Sequence, residues 1–435
     1  MNNLSIYGVI MKHRRSRTIA ASLSTLLVLL TVILSACGGS STSTTSGPVT
    51  LNYWYTEGTA EAPVITKLIG EFEKQNPDIK INAQYQPFDQ TQSKFANAAQ
   101  SNTAPDVLRS DVGWIAQFAS TRYLLPLDQY VSETDQKDYL PNALAYGKYD
   151  GHLYALPQVT DFLAIQYNKA ILAKAGITSA PKTMSDFEAA SKKIVESGAA
   201  KYAFETSGAS YFTLPFLWSF GGGMIDANNK VLVNNAGSVA GLEFLTKLQN
   251  QDKVMPGKID FNNGYNNMVN DLKDGTTAMI FNGPWETSNI LTGSAFADKT
   301  NLGIAAIPAG PTGVTGSPTG GHSYVAYAGT KHPAEAAKFI NFMSSTSSQV
   351  EIATANHTLP TRESAYKDAA VTADPIISAF YAIRNSAVSR PVIPQGGQLF
   401  TDFDPNIQAA LGGSKTPADA LNAVAEKWQQ LLASK

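Results

Sequence analysis

Residues 49–83 read VTLNYWYTEGTAEAPVITKLIGEFEKQNPDIKINA, and the spacing of their apolar residues decides the fold class. Val49 to Tyr55 is apolar or aromatic at most positions, which predicts a strand. After a loop, Ile65, Leu68, Ile69 and Phe72 fall on one helical face, and Ile79 to Ala83 predicts a second strand. Strand, helix and strand within about 35 residues make a βαβ unit, which implies a parallel sheet with a right-handed crossover. Asp106-Val107-Leu108 continues that sheet after a helical stretch around Gln92 to Gln100. The N-terminal part is therefore α/β.

Helices further along carry their own punctuation. Ser185 with Glu188 predicts a capping box, and Gly198 ends that helix. Pro333 opens a helix with Ala336, Phe339, Ile340 and Met343 on one face, and Thr416-Pro417 opens another with Leu421, Val424, Trp428 and Leu431. These faces read as core packing. Short strands are expected at Thr277 to Phe281 and Tyr324 to Tyr327, and no repeat of fixed period is present.

Upstream of the βαβ unit, Lys12, Arg14, Arg15 and Arg17 precede an apolar run from Ile19 to Leu34 and then Leu34-Ser35-Ala36-Cys37. That is the layout of an export signal, with Met11 a candidate start in place of Met1. At about 16 residues the run is shorter than the roughly 20 a permanent membrane span needs. Cys37 is the only cysteine, so no intramolecular disulfide can form. Leu-Ser-Ala-Cys resembles a bacterial lipobox, which implies a signal at 1–36, acylation of Cys37, and a lipid-anchored tether at 37–48 rich in Gly, Ser and Thr. The other reading is an incidental cysteine beside an ordinary signal-peptidase site. Loss of the signal takes four basic residues and moves the net charge from −2 to −6. A chain so charged lacks the basic surface that nucleic acid requires. About 398 residues remain, enough for two or three domains.

Several segments, in order, resemble the extracellular solute-binding proteins of sugar ABC importers, above all the maltose and maltodextrin type. They are Leu51-Asn52-Tyr53-Trp54, Phe72-Glu73-Lys74-Gln75-Asn76-Pro77, Ala104-Pro105-Asp106-Val107, Gly151-His152-Leu153-Tyr154-Ala155-Leu156-Pro157 and Tyr167-Asn168-Lys169. Then come Tyr211-Phe212-Thr213-Leu214-Pro215, Asp274-Gly275-Thr276-Thr277-Ala278-Met279, Asn282-Gly283-Pro284-Trp285 and Pro333-Ala334-Glu335-Ala336-Ala337-Lys338-Phe339. The resemblance implies two α/β lobes of periplasmic-binding-protein type II, joined by crossover hinge segments with a ligand cleft between them. By analogy the N-lobe holds 49–160 and 305–346, and the C-lobe 161–304 and 347–435. It also implies a monomeric substrate-binding lipoprotein on the extracytoplasmic side of the membrane. Such a protein hands maltodextrin or another di- or oligosaccharide to permease subunits, without a cofactor.

A sugar site needs flat aromatic faces for C–H surfaces and directed polar groups for hydroxyls. Trp285 follows a Gly-Pro turn at a strand end, where α/β clefts form, and Tyr211 matches the family's tyrosine. Phe400 falls where the family often has a tryptophan, keeping a stacking face without the indole donor. Asp111 lies near the family's sugar-binding aspartate, although the tryptophan and arginine that neighbour it in that family are absent. Trp114 either replaces that aromatic or packs in the core. Asp161 stands where maltose binders place a glutamate, and Glu57 follows the first strand; each has a capping or solvated role as its alternative. His322, after Gly320-Gly321, either reaches the cleft or ends a strand with no ligand.

An enzyme reading has little to rest on. The chain lacks Gly-x-Ser-x-Gly, His-Glu-x-x-His, a Walker loop and Gly-x-Gly-x-x-Gly, although a two-carboxylate glycoside hydrolase leaves no such signature. The five histidines, His13, His152, His322, His332 and His357, are scattered, which disfavours a metal carrier. A binder of a polyol, a glycerophosphate-type solute or a metal is the alternative function.

Overall fold

Val49–Tyr55 pairs in parallel with Ile79–Tyr85 on one side and Val107–Asp111 on the other, as the βαβ pattern requires. The intervening helix Ala62–Gln75 buries Val64, Ile65, Leu68 and Phe72 in a core shared with Leu51 and Tyr53. These elements come from a computed structural model that describes residues 47–433. The export signal, both candidate starts, Cys37 and nearly all of the tether lie outside the described residues.

Ser317–Ala326 lies antiparallel to Val107–Asp111, followed outward by Ala155–Phe162 and Leu359–Pro360. Ala387–Val388 adds to the start of Ser317–Ala326, completing a sheet of seven strands. A second sheet runs Leu302–Ala305, Ala164–Asn168, Thr277–Asn282, Tyr202–Glu205. It has its own core, in which Phe204 and Phe281 lie 4.8 Å apart and Phe216 and Phe281 5.0 Å apart between ring centres.

The chain passes between the sheets at Leu163 and again at residues 306–316, and a third passage after Ala387–Val388 carries it to Leu399–Leu411 in the second core. Ala155–Phe162 belongs to the first and Ala164–Asn168 to the second, with only Leu163 between them. The return runs from Leu302–Ala305 through residues 306–316 to Ser317–Ala326. The Leu163 N–H donates to Ser317 Oγ at 2.5 Å, tying the two crossings together. Phe162, Ala164, Leu359, Val371, Ile377 and Phe380 form a small core at that place. The result is two α/β lobes joined by crossing segments.

Strand pairing divides some residues differently from the lobe bounds that the family resemblance implies. Asp161 and Phe162 pair with Gly320 and Thr319 of the first sheet, Ala305 pairs with Ile165 of the second, and Leu359–Pro360 lies on the edge of the first. The capping box also sits elsewhere: Thr183, not Ser185, caps Met184–Glu196. The Thr183 hydroxyl accepts from Asp186 N at 3.0 Å, and the Asp186 carboxylate accepts from Thr183 N at 3.1 Å. Both residue pairs fit the capping pattern. The earlier start lets Met184 join Phe187 in the core, while Glu188 meets Lys192 and Lys247. Gly198, at φ +63°, follows the helix end as expected. Pro333–Met343 buries Ala336, Phe339, Ile340 and Met343, and Pro417–Ala433 buries Leu421, Val424 and Trp428.

Beyond the helix Thr346–Asn356, the chain is pinned to the first lobe by buried Arg362. Its two Nη atoms donate to Asp135 at 2.9 Å each, Nη1 also to Asp138 at 3.2 Å, and Nη2 to Tyr139 Oη at 2.8 Å. Nε donates to Ser344 O at 2.6 Å, and the guanidinium lies 4.1 Å from the Tyr139 ring centre. Among the described residues no helix is long and apolar enough to cross a membrane.

Candidate functional site

Asp111 ends its strand and turns its carboxylate back on the loop that follows. Oδ1 accepts from Gly113 N at 2.6 Å and from Arg390 Nη2 at 3.2 Å. An arginine therefore does stand beside this aspartate, contributed by a residue 279 positions further along the chain. Arg390 is itself held from the first lobe. Tyr146 Oη accepts from its backbone N at 2.8 Å, and Thr319 O accepts from its Nε at 2.9 Å. Its guanidinium lies 5.6 Å from the Tyr211 ring centre and 6.0 Å from that of Phe400, within cation–π reach.

Tyr211 and Phe400 come together because their helices are bonded at that point. Ser210–Ser219 lacks a side-chain N-cap of its own. Instead Asp404, one turn after Phe400 on Leu399–Leu411, accepts from Ser210 N at 2.8 Å and from the Ser210 hydroxyl. The two rings are 6.3 Å apart and tilted by 52°. Tyr211 donates to Pro318 O at 3.3 Å. Gly320 is required nearby, since a Cβ there would collide with the Asp161 carboxylate and the Tyr211 hydroxyl. Asp111, Asp161, Tyr211 and Phe400 thus gather around Arg390, where strands of the first sheet meet helices of the second lobe.

Trp285 lies in the loop after Thr277–Asn282 and is half-buried. Its ring sits over Gly283, where a Cβ would collide with it. Nε1 donates to Tyr265 Oη at 2.8 Å, and Tyr265 in turn donates to Glu286 Oε2 at 2.5 Å, so the indole plane is set. Phe212 links this support to Tyr211, with ring centres 5.6 Å from each of Tyr265 and Tyr211.

The remaining candidates are on the first lobe. Buried Glu57 forms an ion pair with Arg109, its Oε1 3.0 Å from Nε, and accepts from Gln158 Nε2 at 2.9 Å, while Arg109 Nε donates to Gln158 Oε1 at 2.6 Å; Glu57 Oε2 is buried with no hydrogen-bond partner. Trp114 is buried, its ring centre 5.1 Å from that of Phe88. His322 pairs in register with Asp111, and both of its ring nitrogens are buried without a partner. Burial, aided by Arg109 and Arg390, holds His322 well below 6.5, leaving a neutral imidazole that can donate once and accept once. Sequence reasoning named none of Arg390, Arg109, Gln158 and Tyr265. For Arg109 a signal existed, since a cation inside an apolar strand must find a buried partner.

Burial pushes the Asp161 carboxyl up to about 7, with Asp111 adding to the shift and Arg390 and Arg109 opposing it. Glu61, half-buried before Ala62–Gln75, is also pushed to about 7 by burial, against Arg109 and with Glu57. Both values exceed the ordinary 3.8 and 4.5, so the folded chain keeps protons that the unfolded chain releases. Their contribution to stability is complete below about pH 4 and is lost as pH rises through about 7. The denaturation midpoint is therefore expected to fall between about pH 5 and about pH 8, and to fall less in Asp161→Asn. A midpoint that rises over this window, or an equal fall in the variant, contradicts the assignment.

Among the described residues no group of three or more His, Cys, Asp and Glu is placed to hold a metal ion. Residues 55–350 match the family described as bacterial extracellular solute-binding protein. The GacH receptor of Streptomyces glaucescens GLA.O, solved unliganded and with acarbose, superposes with a TM-score of 0.84 at 34% identity, covering 89% of this chain and 99% of that one. The maltotriose-binding protein of Pyrococcus abyssi is 25% identical over 394 residues, 88% of this chain and 82% of that protein. The maltodextrin-binding protein MdxE of Bacillus subtilis is 25% identical over 376 residues, 82% of this chain and 85% of that protein. The two-lobe periplasmic-binding-protein architecture that the resemblance implies is shared with the GacH receptor. With the family matched over more than half its length, the chain belongs to the bacterial extracellular solute-binding proteins, which are binding proteins and not enzymes.

Proposed function

We propose that this chain captures an oligosaccharide of the maltodextrin type between its lobes and presents it to the permease subunits of an ABC importer. The observation that carries the reading is the meeting of Tyr211 and Phe400 with Arg390, Asp111 and Asp161 at the lobe junction. Aromatic faces suit the C–H surfaces of a pyranose, and charge-assisted hydrogen bonds suit its hydroxyl rim. Trp285 extends the aromatic wall on the second lobe, and Glu57, Trp114 and His322 complete the set on the first. The maltotriose and maltodextrin named for two relatives support this class of ligand. Closure about Leu163 and residues 306–316 is the hinge motion that the importer reads. On this division Leu359–Pro360 returns to the first lobe.

The test is titration calorimetry with maltose, maltotriose and longer maltodextrins beside a polyol and zinc. Saturable binding of an α-glucan is the expected result; binding of the polyol or zinc with no sugar bound overturns it. The mature protein is a monomer held at the extracytoplasmic membrane face by acylated Cys37, which Lys12 to Cys37 supports by its layout. Cys37→Ser is accordingly expected to move the protein from the membrane fraction to the soluble one. Retention in the membrane pellet means another anchor or an uncut signal.

A further inference from the structure

Phe88 is an aromatic that the set above leaves without a role. It is 48% exposed, yet its ring is held in place. As the first residue of the helix Phe88–Gln100, it lies 5.1 Å from Trp114 between ring centres with a tilt of 31°, and 5.8 Å from His322 in an edge-on contact. On another side the backbone at Gly397 comes so close that a Cβ there would collide with Gln92 and press on Trp114 Cδ1. The outermost ring of this stack is therefore Phe88. Beside it stand the two ring nitrogens of His322, buried and without a partner, although buried polar atoms in folded proteins are nearly always bonded. From His322 the line continues through its register neighbour Asp111 to Arg390 and on to Tyr211 and Phe400. An exposed but supported aromatic, an imidazole with unused hydrogen-bonding capacity, and an unbroken path to the lobe junction are thus contiguous.

We propose that Phe88 and His322 form a subsite for one further sugar ring of the same oligosaccharide, with its C–H face on Phe88 and its hydroxyls on His322. The protein then favours longer chains over a disaccharide. This subsite rests on the carbohydrate reading given above and deepens it to chain-length preference. The occupant is a pyranose because the aromatic face and the polar nitrogens lie side by side, which a purely apolar ligand would leave half unmatched.

Titration of the full-length protein with maltose, maltotriose, maltotetraose and maltopentaose tests it. Unmodified protein is expected to gain about threefold to tenfold in affinity from the shortest chain to the longer ones, the scale of one aromatic contact. Phe88→Ala should abolish that gain while maltose affinity stays within about twofold, and Phe88→Trp should restore it. An equal loss at every chain length, an unchanged length preference in Phe88→Ala, or no length preference in the unmodified protein overturns the subsite. Failure of the unmodified protein to bind any of these sugars overturns the carbohydrate reading itself, so the two failures are distinguishable.

Discussion

Trp285→Ala is expected to weaken oligosaccharide binding by at least about thirtyfold, the factor that corresponds to about 2 kcal/mol and to a tryptophan at the centre of a recognition surface. The size of the effect follows from how little freedom the indole has. Gly283 lies beneath the ring and Tyr265 accepts its N–H, so its orientation is set before any ligand arrives. Rigid, pre-set area binds without an ordering cost. The fold should be little affected, because Trp285 is half-buried and Tyr265 keeps its bond to Glu286 in the variant. Calorimetry together with a denaturant melt separates the two effects. Affinity within about twofold of the unmodified protein, with an intact melt, would remove Trp285 from the site and leave it a packing residue.

The largest effect on stability is expected at Arg362. Arg362→Ala leaves Ser344 O and the Tyr139 hydroxyl without its donated bonds and strands Asp135 and Asp138 beside each other. Breaking a buried charge network by removing one partner costs about 3–5 kcal/mol; the aspartates here are partly exposed and can rehydrate, so about 3 kcal/mol is expected. The measurement is equilibrium denaturation, read as a shift in midpoint at constant slope. Because Arg362 lies on the segment that returns to the first lobe, sugar affinity measured well below the new melting temperature should be unchanged. A loss under about 1 kcal/mol would show that the network is solvated and energetically idle.

The two predictions draw on different amounts of sequence information. The architecture was readable because βαβ order, helix faces and caps are local signals, and Val49–Tyr55, Pro333–Met343 and Pro417–Ala433 form where their patterns place them. The capping box shows the limit of that information. Thr183/Asp186 and Ser185/Glu188 carry the same spacing, and it is tertiary contacts, burial of Met184 and the pairing of Thr183 with Ala309, that accompany the choice of the first. Side chains that resemble a family motif could be named in advance, and among those candidates Asp111, Asp161, Tyr211 and Phe400 lie close together around Arg390. Arg390 could not be named, since its meaning depends on an aspartate 279 residues away. Tyr265 was invisible for a similar reason: its hydroxyl matters only because Trp285 and Glu286 fold onto it.

The two crossings between the sheets are unequal in a way that has a practical use. Leu163 is a taut link, fully buried and fastened to Ser317, whereas residues 306–316 form a long strap with Pro311 to Val314 at the surface. Pro308 and Ala309 are tied to the second lobe by Ser219 and Lys182, and a third passage leads from Ala387–Val388 to Leu399–Leu411, so a swing of the lobes would be taken up at the exposed bend Pro311 to Val314. A fluorescent reporter spliced between Thr312 and Gly313 is therefore expected to respond from outside the pocket if the proposed closure takes place, which would turn the molecule into an optical gauge for its ligand.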